Sequence, residues 1–477
     1  MAEQSLKDKT VKGIVWSAIE KFSVQGVQFL VMLVIARILS PKDFGLIGMM
    51  AIFIAVSDSL CNSGFSQALI RKQNRTEADN STVFYFNVVV SLVLYLILYF
   101  AAPWVAEFYN EPELTVLMRV LCLIVIIHSF AVVQRAVYTA NLNFKIQAKA
   151  SFIAAVISGF IGIVLALNGF GVWTLVWQQL LNAGLLTLLL WFYSSWHPRF
   201  FFSWKSFRDL FSFGSKLMVS GLLDTVYNNI YQLVIGKVFT ASSLGYFTQA
   251  KTFANFPSAN ISTIIQRVTY PVLCKLQDDD NVLRNNYRQL LRLSAFIIFP
   301  LMCLLAGVSK PLITTFVGEK WSFAAQLLIP LSFSMMWYPI HAINLNLLQV
   351  KGRSDLFLKL EIIKKIIGVS ILFISIPFGL TFLCWSRIAT SLLSLFLNTY
   401  YTGKLIHVNF FVQMGDIVHI LLMSLISFFI AFACQYAIPN SIVQIIVGGV
   451  LGISFYLGGA FLLQFTEIKY LKKIIKK

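Results

Sequence analysis

Lys216, Ser220, Asp224, Asn228 and Tyr231 follow one another at spacings of four, four, four and three. Lys251, Asn255, Ser258, Ser262 and Gln266 do so at four, three, four and four. On an α-helix each set falls on one face. Both sets lie inside otherwise apolar stretches, so each predicts a polar stripe on a greasy helix. Two such stripes on successive helices read as the wall of a water-filled cleft. Glu20, Lys21, Asp58, Arg119, Lys364, Lys365 and Arg387 also interrupt apolar runs. Inside a bilayer each costs about 2.5–3.5 kcal/mol on insertion scales, so each faces a cavity or a partner. Lys216, Lys251, Lys364 and Arg387 together suit an anionic headgroup such as a pyrophosphate. Asn228, Asn255, Asp224 and Arg119 are further candidate contacts. Glu20, Asp58 and Asp224 are candidates for carrying H⁺ or Na⁺. Pairing within the chain, Asp224 with Lys251 or Glu361 with Lys365, is the competing reading, and the sequence leaves both open.

The elements that must hold these residues follow from composition. Of 477 residues 58% are hydrophobic, 12% are charged and 43 are Phe. That much apolar surface cannot be hidden in a soluble fold. Apolar runs of about 20 residues recur throughout, long enough to cross a bilayer as helices, and strand-length alternation is absent. The expected fold is an all-α polytopic membrane protein of about fourteen helices. Their approximate spans are 13–38, 42–65, 81–103, 113–138, 149–168, 171–195, 208–238, 242–270, 288–309, 324–350, 357–378, 380–403, 416–437 and 441–464.

The net charge of +18 is distributed one-sidedly. Counting alternate connections, the termini and even loops hold 23 Lys and Arg; the odd loops hold only Lys42, Lys310 and Lys320. The positive-inside rule then places both termini in the cytoplasm and directs the basic charge to the inner leaflet, not to nucleic acid. No cleavable leader is expected, because Met1–Lys12 is polar and the first apolar run is too long. The six cysteines are scattered without a CxxC pair and read as small hydrophobes in helices.

One corner is written twice. Leu30–Gly45 and Ile230–Gly245, which end in "ARILSPKDFG" (36–45) and "GKVFTASSLG" (236–245), align at an offset of 200, with Leu33/Leu233, Val34/Val234, Ile35/Ile235 and Gly45/Gly245 identical. Ser40, Pro41 and Asp43 compose a helix start with a capping box, and Thr240 with Ser243 a weaker one. An even number of helices separates the copies, so both cross the membrane in the same direction. The expected architecture is two parallel six-helix lobes around a central cleft, 1–195 and 208–403, joined by a basic aromatic linker, 196–207. Two further helices and a basic tail occupy 404–477. "WHPRFFFSWKSF" in the linker can sink its aromatics among inner headgroups.

No connection is long enough for a soluble domain, and no GxxxxGK[ST], HExxH or other metal-ligand spacing occurs. An enzyme is not expected, and no cofactor or metal. His128 and His341, each alone in a helix, read as structural.

In series, "ARILSPKDFGLIGM", "GFSQALIRKQ", "APWVAEFYNEPEL", "LNFKIQAKAS", "LNGFGVWTLV", "HPRFFFSWKSFRDLFSFG" and "FPLMCLLAGVSKPLITTFVGEKW" resemble one family. It is the polysaccharide-transport flippases of the multidrug/oligosaccharidyl-lipid/polysaccharide exporter superfamily, of the lipopolysaccharide and colanic-acid type. The resemblance covers about two-thirds of the chain; Asn141 departs from an Arg expected in many relatives. It implies a secondary-active flippase of the bacterial inner membrane, working by alternating access. Undecaprenyl-pyrophosphate-linked oligosaccharide would move to the outer leaflet for surface polysaccharide, coupled to an H⁺ or Na⁺ gradient. Membrane lipids, a polysaccharide polymerase and glycosyltransferases would be its partners. The runner-up is an ion-coupled exporter of drugs or organic cations from the same superfamily, which should favour an acidic cleft where this one leans basic.

Overall fold

The computed structural model describes residues 2–62, 64–72, 74–468 and 470, and their side chains except those of 2–15, 17, 18, 62 and 268. Among the described residues eighteen α-helices follow in order: α1 Ala2–Ile38, α2 Pro41–Asn62, α3 Phe65–Arg71, α4 Glu77–Tyr109, α5 Leu114–Leu121, α6 Leu123–Ala140, α7 Phe144–Leu167, α8 Val172–Tyr193, α9 Trp204–Val238, α10 Ala241–Lys275, α11 Asp280–Gly307, α12 Ser309–Phe316, α13 Ser322–Met335, α14 Tyr338–Val350, α15 Ser354–Ser375, α16 Gly379–Ile406, α17 Phe410–Ala437 and α18 Ser441–Leu462. There is no strand among the described residues.

Every expected span has a counterpart. The fourth is broken into α5 and α6 at Cys122, and the tenth into α13 and α14 near Met336. Eleven described stretches are long and apolar enough to cross a membrane, and one of them, Ser354–Ile406, contains two helices. The two remaining long helices are α9 and α10, whose hydropathy is lowered by the polar stripes. Large apolar side chains remain exposed on these spans, among them Trp104, Phe160 and Leu188, as lipid-facing helices require.

Several boundaries move outward. α1 starts at Ala2 instead of 13, though the side chains of Lys7, Lys9 and Lys12 lie outside the described ones, as do Lys469 and residues 471–477 of the basic tail. α10 continues to Lys275 and α11 begins at Asp280, so Arg284, Arg288 and Arg292 are helical, not loop residues. Asp279 caps α11 by accepting from the amides of Asn281 and Val282 at 2.9 and 3.0 Å. Hydropathy cannot see these charged helical ends because they protrude beyond the apolar layer.

Two compact units divide the chain, Met1–Gly245 and Tyr246–Lys477. In the first, α7 packs on α1 and α8, and α6 on α4 and α8. α9 runs antiparallel to α2 along its length. At one end Gly64 meets the Gly214 backbone; at the other Gly236 abuts Met49 and Tyr109, and Gly45 meets the Ala241 backbone. Gly245 lies against Pro41, so the two copies of the repeated corner touch each other directly. Both corners are tight turns with the expected caps. The Ser40 amide donates to Asp43 Oδ2 at 2.8 Å and the Asp43 amide to Ser40 Oγ at 3.3 Å; the Ser243 amide donates to Thr240 Oγ1 at 3.1 Å. Through these contacts 208–245 belongs to the first unit. The linker is pinned to the start of α4, where the Arg199 and Ser203 amides donate to Ser81 Oγ and Thr82 Oγ1 at 3.1 and 3.0 Å. Phe200 and Trp204 project from it, 99% and 75% exposed.

In the second unit α11 packs on α17, α13 on α16, and α17 on α18. Arg288 grips Asp416 with two bonds of 2.7 and 2.6 Å. Asn344, Thr402 and Gln413 form a buried amide–hydroxyl network joining α14, α16 and α17.

Candidate functional site

The α9 stripe is accessible. Lys216, Ser220, Asp224 and Asn228 are all exposed, and only Tyr231, at the end of the row, is buried. On the same helix Val219, Leu223 and Val226 are exposed too. At 100° per residue the polar four and the apolar three occupy adjacent arcs. The helix therefore presents two different surfaces side by side, one fit for water and one for lipid.

The α10 stripe is less uniform. Asn255 is exposed and Lys251 and Gln266 are half-buried, but Ser258 and Ser262 are buried. Ser258 donates to the Met335 carbonyl at 2.8 Å and so serves packing, which corrects the reading of this whole stripe as cleft wall. Lys251 makes no hydrogen bond or ion pair to a described residue and lies within electrostatic range of Arg387 on α16.

Lys364 pairs with Glu361 one turn earlier on α15, so its charge is already compensated. His341 sits in its field and in a defined network. Asn398 Nδ2 approaches Nδ1 at 3.3 Å, which leaves Nε2 to donate to Ser391 Oγ at 3.0 Å, and Ser391 donates to the Ser334 carbonyl at 3.1 Å. Arg119 is committed to α4: Nε donates to the Tyr99 carbonyl at 3.3 Å and the guanidinium stacks 4.4 Å over the Tyr99 ring.

Four helices of the first unit bring together a group the sequence did not reveal. On α2, Asp58 meets His128 Nδ1 of α6 at 3.1 and 3.2 Å through its two oxygens. Glu20 of α1 accepts from Ser151 Oγ of α7 at 2.8 Å. Arg135 lies seven residues after His128, hence on the same face of α6, and within electrostatic range of both Glu20 and Asp58. Its side chain is exposed. Two carboxylates, an imidazole and a guanidinium thus share one neighbourhood. Arg135 carries no signal in the sequence beyond its i, i+7 spacing from His128, and the pairing of His128 with Asp58 agrees with a structural role for the imidazole.

Among the described residues no three His, Cys, Asp or Glu side chains converge as metal ligands. All six cysteines are free thiols.

Residues 34–326 match the family described as "Polysaccharide biosynthesis protein". The chain is 26% identical to the teichuronic acid biosynthesis protein TuaB of Bacillus subtilis, over 74% of this chain and 73% of that protein. It is 27% identical to the lipopolysaccharide biosynthesis protein WzxC of Escherichia coli, over 76% and 74%. Among solved structures it resembles the lipid II flippase MurJ in an inward closed conformation, with a TM-score of 0.77 at 16% identity over 97% of this chain and 100% of that one. An inward-facing multidrug resistance MATE family transporter of the MOP superfamily gives 0.63 at 18% identity, over 82% and 98%. These two likenesses are of fold.

Proposed function

Because the chain belongs to the polysaccharide biosynthesis protein family, we propose that it is a secondary-active flippase for lipid-linked oligosaccharide. In this reading an undecaprenyl-pyrophosphate-linked glycan crosses the bacterial inner membrane by alternating access, with both termini cytoplasmic. Sugar and diphosphate travel along wet, polar helix faces while the polyprenyl tail stays in lipid. The observation that carries the proposal is the accessible row Lys216–Ser220–Asp224–Asn228, set beside an exposed apolar arc on the same helix. A headgroup-and-tail substrate needs both surfaces within reach of one another. Lys251 and Arg387 supply the cationic surroundings for a diphosphate, with Asn255 as a further contact. Glu20 and Asp58 carry the coupling ion, H⁺ or Na⁺. Relatives named for teichuronic acid and lipopolysaccharide biosynthesis support the glycan substrate class.

The test is deletion of the gene followed by measuring which leaflet holds the lipid-linked glycan. Surface polysaccharide is expected to fall severalfold or more, with glycolipid stranded on the cytoplasmic side. Normal surface glycan together with new sensitivity to cationic dyes would instead identify a drug exporter.

A further inference from the structure

Between α6 and α8 of the first unit an open groove of about 400 Å³ is lined by Ile127 and Phe130 on one side and by Gly184, Thr187, Leu188 and Trp191 on the other. Its lining offers a ligand no hydrogen bond. Thr187 Oγ1 donates to the Ile127 carbonyl at 3.2 Å and Trp191 Nε1 to the Phe130 carbonyl at 2.8 Å, so both polar atoms are engaged across the helix pair. The groove exists because position 184 has no side chain: nothing lies within 4 Å of where a Cβ would stand. Leu188 is 67% exposed, and on an apolar span an opening at that side chain meets lipid. From Gly184 to Trp191 the groove runs about 10 Å along α8 at 1.5 Å per residue, less than the roughly 15 Å hydrocarbon depth of one leaflet.

The linker closes one end. Leaving α8 at Tyr193, the chain crosses to α4. The His197 ring stands edge-on to Trp191 with centroids 6.1 Å apart, the Arg199 amide reaches Ser81, and Phe200 stacks on Tyr85 at 6.0 Å. Trp191 therefore joins the groove to the linker. Residues 196–207 carry Arg199 and Lys205 and no acidic residue. Arg199 pairs with Glu77 at 2.6 Å, but both side chains are more than half exposed. Such a surface pair is weak and leaves guanidinium donors for a second acceptor.

We propose that this groove seats one acyl chain of an anionic phospholipid in the leaflet that the linker faces, with the lipid phosphate held by Arg199 and His197. The seat is a property of the first unit, whatever substrate crosses. Length selects the acyl chain, which ends within its own leaflet; a polyprenyl tail is far longer and would overrun so short a groove. Charge selects the headgroup, because a basic strap at the mouth of an apolar slot attracts an anionic lipid. Exposed Phe200 and Trp204 beside it hold the strap at headgroup level.

The experiment titrates the purified, delipidated full chain in detergent with phosphatidylglycerol, phosphatidylcholine or undecaprenyl phosphate and counts bound lipid by native mass spectrometry. Wild type is expected to retain one phosphatidylglycerol that Gly184→Phe lacks, since the new ring grows into open space and fills the groove. Leu188→Gln changes an exposed side chain, brings an amide to the groove, and is expected to lose the same lipid. His197→Gln combined with Arg199→Gln should still bind one lipid. It should lose a preference for phosphatidylglycerol over phosphatidylcholine of about fivefold, the effect of one basic residue at an anionic surface. Equal retention by wild type, Gly184→Phe and Leu188→Gln overturns the proposal. So does a wild type without headgroup preference, or displacement of phosphatidylglycerol by undecaprenyl phosphate.

Discussion

A valine at Gly45 is expected to remove most of the folded protein from the membrane. A Cβ there would overlap the carbonyl oxygen and carbon of Ala241. These are backbone atoms, so no rotamer change relieves the clash, and the start of α2 would have to move off the start of α10. The α2–α9 contact that continues from this point would be disturbed with it. Overpacking a core costs typically 1–3 kcal/mol even where side chains can adjust; here a loss of at least about 3 kcal/mol is expected. Gly245→Val, aimed at the Pro41 carbonyl, should do the same from the opposite corner. Gly184→Ala is the control, since nothing lies within 4 Å of a Cβ there. Thermal unfolding of the detergent-purified proteins measures the difference. Equal stability of Gly45→Val and Gly184→Ala would contradict the direct contact of the two corners.

Reversing charge at Lys251 is expected to have the largest effect on transport. Lys251 is a half-buried cation within electrostatic range of a second cation, Arg387, so the place is electropositive and suits an anion. Lys251→Glu would place a carboxylate beside Arg387 and occupy the anion's place from within. Close charge pairs couple by about 1.5–7 kcal/mol in double-mutant cycles, so glycan export should fall at least tenfold. Lys251→Arg should keep most of it. Export by Lys251→Glu at the wild-type rate, at matched protein level, would take Lys251 out of the substrate's path.

What could be read from the sequence follows from which forces are local. Apolar run length marks a membrane helix, and all fourteen spans were recoverable from it. The capping boxes at Ser40–Asp43 and Thr240–Ser243 were equally legible, because a cap is a contact over three residues. The charged ends of α10 and α11 were not, since hydropathy falls silent where a helix leaves the bilayer. The repeat itself was visible, but not that its copies meet: the contact of Gly45 with Ala241 lies between segments 196 residues apart. The candidate site divides the same way. The α9 stripe follows from periodicity, and it is exposed as such a stripe should be. The Glu20–Asp58–His128–Arg135 group is assembled from four helices, counting Ser151, and no one of them announces it. Arg119 shows the opposite error, a charge conspicuous in the sequence whose partners are a neighbouring helix's carbonyl and ring.

Aqueous accessibility along α9 is the most direct measurement. Single cysteines at 216, 220, 224 and 228, and at 219, 223 and 226, would be placed in a chain whose six native cysteines are replaced by serine, then exposed in membranes to a charged thiol reagent. Rapid labelling of the first four, slow labelling of the last three, and protection of the first four by undecaprenyl-pyrophosphate-linked glycan are expected. Labelling of neither set, with 220 and 224 as unreactive as 219 and 223, would mean that the polar row faces lipid or dry protein and that no charged headgroup passes along it.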